Sequence, residues 1–212
     1  MPKLTFYNLP DEKRQTLIQA IQAEFSRVPL FDASISNIVK AAGIPRGSFY
    51  QYFEDKDDAF FFLLTELSEK EKYNFISILT EREGDLFETA FDFYKRMLEE
   101  EEHFYFLKNA FLNMTQKIES SFARMISDSN KHGENFKATA ALIDRSKLNI
   151  SSEKELFHVL QIITTITFRN LVETFAHDLS HQDSLENLKL EMNLIKRGLV
   201  CETINIQSIR ID

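Results

Sequence analysis

Apolar residues recur at helical spacing along most of this chain, and breakers cluster near its start. Leu17, Ile18, Ile21 and Phe25 fall on one face of a helix predicted from Pro10 to about Arg27, with Pro29 closing it. Residues 1–9, with Leu4 and Phe6 apolar and no capping pattern, read as an arm. Between 33 and 58 the sequence ASISNIVKAAGIPRGSFYQYFEDKDD reads as two short helices and a tight turn. Ser34 suits an N-cap, because its hydroxyl can accept a backbone N–H two or three residues on. Ile35, Ile38, Val39 and Ala42 form a narrow apolar stripe. Gly43 stands where the helix must stop and turn left-handed, and Pro45 suits a first helical turn, where a missing N–H is harmless. The second helix, to about Tyr50, surrounds Gly47 with the hydrogen-bonding side chains of Arg46, Ser48, Tyr50 and Gln51. Such a pair is a helix-turn-helix, whose second helix can enter the major groove of DNA.

Longer helices are predicted downstream. One runs from about Asp55 to Glu81 and ends near Gly84; a second is capped by Asp85, carries Leu86, Phe87, Phe91, Tyr94 and Leu98, and ends in the acidic run Glu99–Glu102. A short helix follows around Phe104–Met114, then an amphipathic stretch from Ile118 to Leu142, in which residues 127–135 form either a kink or a loop. Ser152 with Glu155 makes a capping box for a helix reaching Asp178. Its Ile- and Thr-rich run Val159–Phe168 prefers strand locally, but the wider window keeps helical spacing. A last helix spans Asp183–Val200, and the terminal TINIQSIRID suits an extended tail. All four prolines precede residue 46 and only five glycines occur, which favours an all-α fold of about nine helices. The expected division is a helix-turn-helix DNA-binding domain at 1–54 and a helical ligand-binding and dimerisation domain at 55–212.

Charge changes this picture in one place. The formal net charge is −8, which in bulk argues against nucleic acid. Residues 33–53 nevertheless contain Lys40 and Arg46 and no acid, so this window carries +2 and the rest of the chain −10. An acid-free face on an acidic body can dock on phosphate while the body keeps away.

The run G-I-P-R-G-S-F-Y-Q-Y-F-E-D-K, with Ile38, Val39, Ala42, Gly43, Ile44, Gly47, Ser48, Tyr50, Tyr52, Phe53 and Lys56 in order, resembles the DNA-binding domain of the TetR family of bacterial transcriptional regulators over about residues 10–65. The resemblance implies that Ser34 and Lys40 lie near the DNA backbone. Pro45, Arg46, Gly47 and Ser48 would face the groove, with Arg46 reading bases, while Tyr50, Tyr52 and Lys56 contact phosphates. It departs from the family pattern at Pro45, often Ser or Thr, and at Tyr52, often His. It further implies a homodimer through the last two helices, a near-palindromic double-stranded operator, the repressor role most often found in the family, and release by a small effector.

Phe87, Phe91, Tyr94, Phe104, Phe111, Phe122, Met125, Phe157 and Phe168 sit on different predicted helices and are the candidate walls of an effector pocket, whose aromatic, uncharged lining would suit a hydrophobic or planar ligand. Plain core packing is the competing reading for each of them. Glu173, His177 and His181 share metal-ligand spacing but lack a further partner, and Cys201 lacks a second cysteine, so neither a metal nor a disulfide nor any cofactor is expected. No nucleophile triad, P-loop or dinucleotide motif points to an enzyme. No run of apolar residues approaches the roughly 18 needed to cross a membrane, and no signal-peptide pattern opens the chain, so a cytoplasmic location is expected. Two rival readings are a constitutive DNA-binding or protein-adaptor module without effector, and a metal-binding helical protein.

Overall fold

The computed structural model describes residues 1–120 and 134–198, and every described element is helical. In chain order these are α1 (Leu4–Tyr7), α2 (Asp11–Arg27), α3 (Ile35–Ala41), α4 (Arg46–Tyr52), α5 (Lys56–Glu81), α6 (Leu86–Glu99) and α7 (Glu101–Leu112). Residues 116–120 belong to α8. Then come α9 (Glu134–Leu142), a 3-10 turn (Arg145–Lys147), α10 (Glu153–His177) and α11 (His181–Arg197).

Helices α2, α3 and α4 pack around Leu17, Ile21, Phe25, Ile38 and Phe49, all at most 1% exposed. Burying one such side chain contributes about 1.5–3 kcal/mol. Within the N-terminal arm expected from the sequence, residues 4–7 are helical. They form α1, because Phe6 finds an apolar slot between α4 and α5: it is 1% exposed, with ring centroids 5.2 Å from Phe53 and 5.0 Å from Phe62. Lys3 N–H also donates to the Tyr52 carbonyl at 2.8 Å, so α1 clips the end of α4.

Helix starts follow the local chemistry. Asp55 accepts from Asp58 N–H, Asp85 from the N–H groups of Phe87 and Glu88, and Ser152 from Glu155 N–H. The carboxylate of Glu155 reaches Ser151 rather than Ser152, taking both its N–H (2.7 Å) and its hydroxyl (2.9 Å). Helix α6 ends at Glu99 in the acidic run, where Glu99 and Glu101 are exposed. Glu100 breaks the helix (φ −80°, ψ 81°) and makes the corner from α6 into α7, which begins earlier than its apolar residues suggested.

Two links join the front helices to the rest. An aromatic chain runs from Phe25 of α2 through Phe60 of α5 to Phe106 of α7, each step 5.2 Å between ring centroids. Asn109 of α7 donates to the carbonyls of Phe25 (3.0 Å) and Ser26 (2.9 Å), satisfying orphan acceptors in the last turn of α2. Further back, Tyr94 of α6 is fully buried and its hydroxyl meets Thr174 of α10 (3.2 Å) and Ser184 of α11 (2.5 Å). No described helix is long and apolar enough to cross a membrane.

Candidate nucleic-acid interface

The turn between α3 and α4 is held by its backbone. Gly43 has φ +64°, and Ile44 N–H returns to the Val39 carbonyl at 3.0 Å. Pro45 then occupies the N-cap position of α4 in an extended conformation (φ −61°, ψ 145°). Phe49, 0% exposed, anchors α4 from beneath, while Lys40, Pro45, Arg46, Gly47, Tyr50 and Gln51 are exposed and Ser48 is half-buried. A Cβ added at Gly47 would meet nothing within 4 Å, so no neighbour in the chain crowds this spot.

Arg46 spans the surface from α3 to α4. Its Nη1 donates to Ser36 Oγ at 2.7 Å and its Nη2 to the Tyr50 hydroxyl at 3.4 Å. Ser34 sits at the N-cap of α3, but its hydroxyl makes no capping bond, contrary to the sequence expectation. A carboxylate from α2 does that work: Ser34 N–H donates to Glu24 Oε1 at 2.8 Å. Glu24 is 5% exposed and also accepts from Arg27 (2.8 Å) and Asn37 (3.1 Å). Burial alone would raise the pKa of this carboxyl. The bonds from Arg27, Ser34 N–H and Asn37 outweigh it and hold the value below the ordinary one.

Lys56, at the start of α5, turns back to donate to the carbonyls of Phe31 (2.6 Å) and Ala33 (3.1 Å), fastening the loop ahead of α3. Tyr52 is half-buried with its ring 6.5 Å from Phe6. Thus Lys40, Pro45, Arg46, Gly47 and Tyr50 are exposed and Ser34 and Ser48 half-buried, whereas the Lys56 amine is engaged by the Phe31 and Ala33 carbonyls and Tyr52 packs beside Phe6. Sequence reasoning missed Lys3, whose Nζ donates to the Tyr50 carbonyl at 2.8 Å, and Ser36. Neither carries a local signal; only the packing of α1 and the reach of Arg46 bring them in.

A cavity of about 870 Å³ lies among α5, α6, α9 and α10. Phe61, Phe62 and Phe75 of α5, Phe93 and Met97 of α6, Phe136 of α9, and Phe157, Ile163 and Phe168 of α10 line it. The lining is not uncharged as expected from the sequence: Asp58, Glu69, Glu71 and Lys72 of α5 and Lys117 of α8 also contribute. Of the nine expected wall residues, Phe157 and Phe168 line the cavity, and Phe111 stands behind Phe168 at 4.6 Å between ring centroids. Tyr94 belongs to the buried polar knot with Thr174 and Ser184. Phe104 packs on Phe175 and His181, Phe87 lies under Lys196, and Phe91 packs against the core. Phe122 and Met125, like 127–133 and Cys201, lie outside the described residues. Glu173, His177 and His181 do not share one helix: Asp178, left-handed at φ 48°, ends α10, and His181 opens α11.

A three-helix front with an exposed second motif helix, fixed to a helical body with a large cavity, defines a helix-turn-helix DNA-binding regulator with a separate effector-type domain. Residues 85–199 match the family model described as tetracyclin repressor-like, C-terminal domain, and residues 17–61 match bacterial regulatory proteins, tetR family. The chain belongs to the TetR family of transcriptional regulators. The HTH-type regulator YdgC of Bacillus subtilis (strain 168) is 39% identical over 70 residues, which are 33% of this chain and 36% of that protein, so the shared stretch spans about a third of that relative. Among solved structures, the fatty acid degradation regulator FadR from Bacillus halodurans superposes with a TM-score of 0.63 at 15% identity, covering 88% of this chain and 99% of that one. NalD of Pseudomonas aeruginosa, the secondary repressor of the MexAB-OprM multidrug efflux pump, gives 0.59 at 17% identity over 91% of this chain and 98% of that one. At these identities the likeness is one of fold.

Proposed function

We propose that this protein is a homodimeric repressor that grips a near-palindromic operator through two copies of α4 and is released by a small, largely hydrophobic effector bound in the body. The observation that carries the reading is the acid-free, exposed face of α4 with Arg46 spread across it, on a chain that is acidic elsewhere. In this reading residues 1–54 form the DNA-binding unit and 55–212 the effector and dimerisation unit. Arg46 exchanges its bonds to Ser36 and Tyr50 for a base edge, while Ser34, Lys40 and Tyr50 meet phosphates. Pro45, Gly47 and Ser48 allow the close approach, and Tyr52 and Lys56 steady the ends of α4 and the preceding loop.

Dimerisation through α10 and α11 is supported by apolar side chains left in water there: Ile162 is 49% exposed, Leu190 58% and Leu194 39%. The cavity falls in the size range of small-molecule sites, about 300–1,000 Å³. Helix α5 starts beside the motif at Lys56 and forms a wall of the cavity from Phe61 to Ile76, so a ligand that favours one tilt of α5 changes the spacing of the two heads.

Selection of bound sequences from random duplex DNA tests this. The expected product is a near-palindrome with half-sites about one helical turn apart, roughly 34–36 Å. Enrichment of single half-sites or of no sequence would contradict the dimeric reading.

A further inference from the structure

Away from the DNA-facing surface, and sharing Glu71 with the cavity, one cluster of ligand-type side chains stands out. Glu71 of α5, Glu100 at the corner between α6 and α7, and His103 one turn into α7 each offer one ligand atom, all within 4.8 Å of one another. The His103 side chain is 16% exposed and its Nδ1 lies 2.6 Å from Glu100 Oε2 and 3.6 Å from Glu71 Oε1. That nitrogen is nevertheless buried and has no hydrogen-bond partner of acceptable geometry. A buried imidazole nitrogen this close to two carboxylate oxygens, with no N–H placed to bond either, is one that a cation shared by the three atoms would satisfy.

We infer that Glu71, Glu100 and His103 form a site for one divalent first-row transition-metal ion, bound through two carboxylate oxygens and the imidazole Nδ1. Two oxygens and one imidazole nitrogen suit ions such as Zn²⁺ or Co²⁺, with water completing the shell. The outer contacts fit that role. Asn74 Nδ2 donates to Glu71 Oε2 at 3.2 Å, and Arg96 Nε donates to Glu100 Oε1 at 3.2 Å, so each carboxylate keeps its other oxygen turned to His103. Lys70 competes: its Nζ is 3.3 Å from Glu100 Oε2, but its side chain is 51% exposed and can swing into water.

The position gives the ion a consequence. Glu71 rides on α5, which runs from the motif to the body, and His103 rides on α7, which holds the end of α2 through Asn109. An ion bridging the two fixes α5 against α7 and biases the head whenever its affinity differs between two placements of these helices. Glu71 also lines the cavity, so the ion and a cavity ligand would share one wall.

Titration of the full-length protein with Co²⁺, followed by d–d absorption and by equilibrium dialysis, tests the site. One ion per chain is expected, with binding weakened at least about tenfold in His103→Gln and in Glu71→Gln, each checked for unchanged helicity by circular dichroism. His177→Ala, at an exposed histidine elsewhere, should leave binding unchanged. Lys70→Ala, a surface change that does not threaten folding, should tighten binding severalfold by freeing Glu100. Absence of Co²⁺ binding at millimolar concentration, equal binding by wild type and His103→Gln, loss in His177→Ala, or no gain in Lys70→Ala would each overturn the assignment.

Discussion

Replacing Glu24 tests how the DNA-binding face is held in shape. Its carboxylate, 5% exposed, takes the N–H of Ser34 at 2.8 Å, the amide of Asn37 at 3.1 Å and the guanidinium of Arg27 at 2.8 Å. Glu24→Ala leaves these donors without an acceptor. Arg27 is 56% exposed and Asn37 is at the surface, so both rehydrate at little cost. The half-buried Ser34 N–H does not, and a stranded donor costs about 1–3 kcal/mol. Adding the lost charge-assisted bonding gives a destabilisation of about 2–3 kcal/mol for Glu24→Ala. Glu24→Gln keeps one acceptor oxygen for Ser34 but points an NH₂ toward other donors, and should lose about 1–2 kcal/mol.

Urea denaturation followed by far-UV circular dichroism measures both. The dependence on pH adds a sign. Because the folded pKa of Glu24 lies below its ordinary value, its contribution is complete above the usual carboxylate range, about pH 4.3, and is lost as pH falls through the lower folded value. The gap between wild type and Glu24→Gln should therefore be widest near pH 7 and shrink toward pH 3. A gap below about 0.5 kcal/mol at pH 7, or one that does not change with pH, would refute the reasoning.

Other residues make further predictions. Phe6→Ala removes a ring that is 1% exposed between α4 and α5 and should cost about 3–5 kcal/mol in chemical denaturation; a small loss would mean that α1 is not docked. Gly84 has φ +74°, and a Cβ there would lie 2.4 Å from Asp144 N and 2.6 Å from the Leu142 carbonyl. Gly84→Ala should therefore destabilise by more than about 2 kcal/mol, and a neutral result would contradict the packing of α9 against that turn. Tyr94→Phe leaves Thr174 and Ser184 bonded to each other at 2.5 Å, so thermal unfolding should show a loss of only about 1 kcal/mol; Tyr94→Ala, which opens a cavity, should lose several times more.

The sequence made local structure readable wherever one residue decides it. Gly43 and Pro45 marked the turn, Asp55, Asp85 and Ser152 marked helix starts, and helical spacing prevailed over the strand preference of Val159–Phe168. Features that depend on distant partners were not readable. Phe6 is a core residue only because α4 and α5 leave it a slot, and Glu24 is a cap for α3 only because α2 crosses it. The cavity walls show the same limit. Helical spacing says that Tyr94, Phe104 and Phe168 are turned inward, but not whether they meet another side chain or a void; Phe168 borders the void, while Tyr94 and Phe104 are packed. Likewise, Glu71 and His103 are joined by the corner at Glu100, which the acidic run did not reveal.

In the proposed function Arg46 on α4 reads bases. Fluorescence anisotropy with the selected operator and with a random duplex, for wild type and Arg46→Ala at two salt concentrations, tests it most directly. Arg46→Ala should lose about 1–3 kcal/mol on the operator and little on random DNA, with both proteins binding more weakly as salt rises. Equal affinity of the two proteins for the operator, or binding that ignores salt, would contradict it.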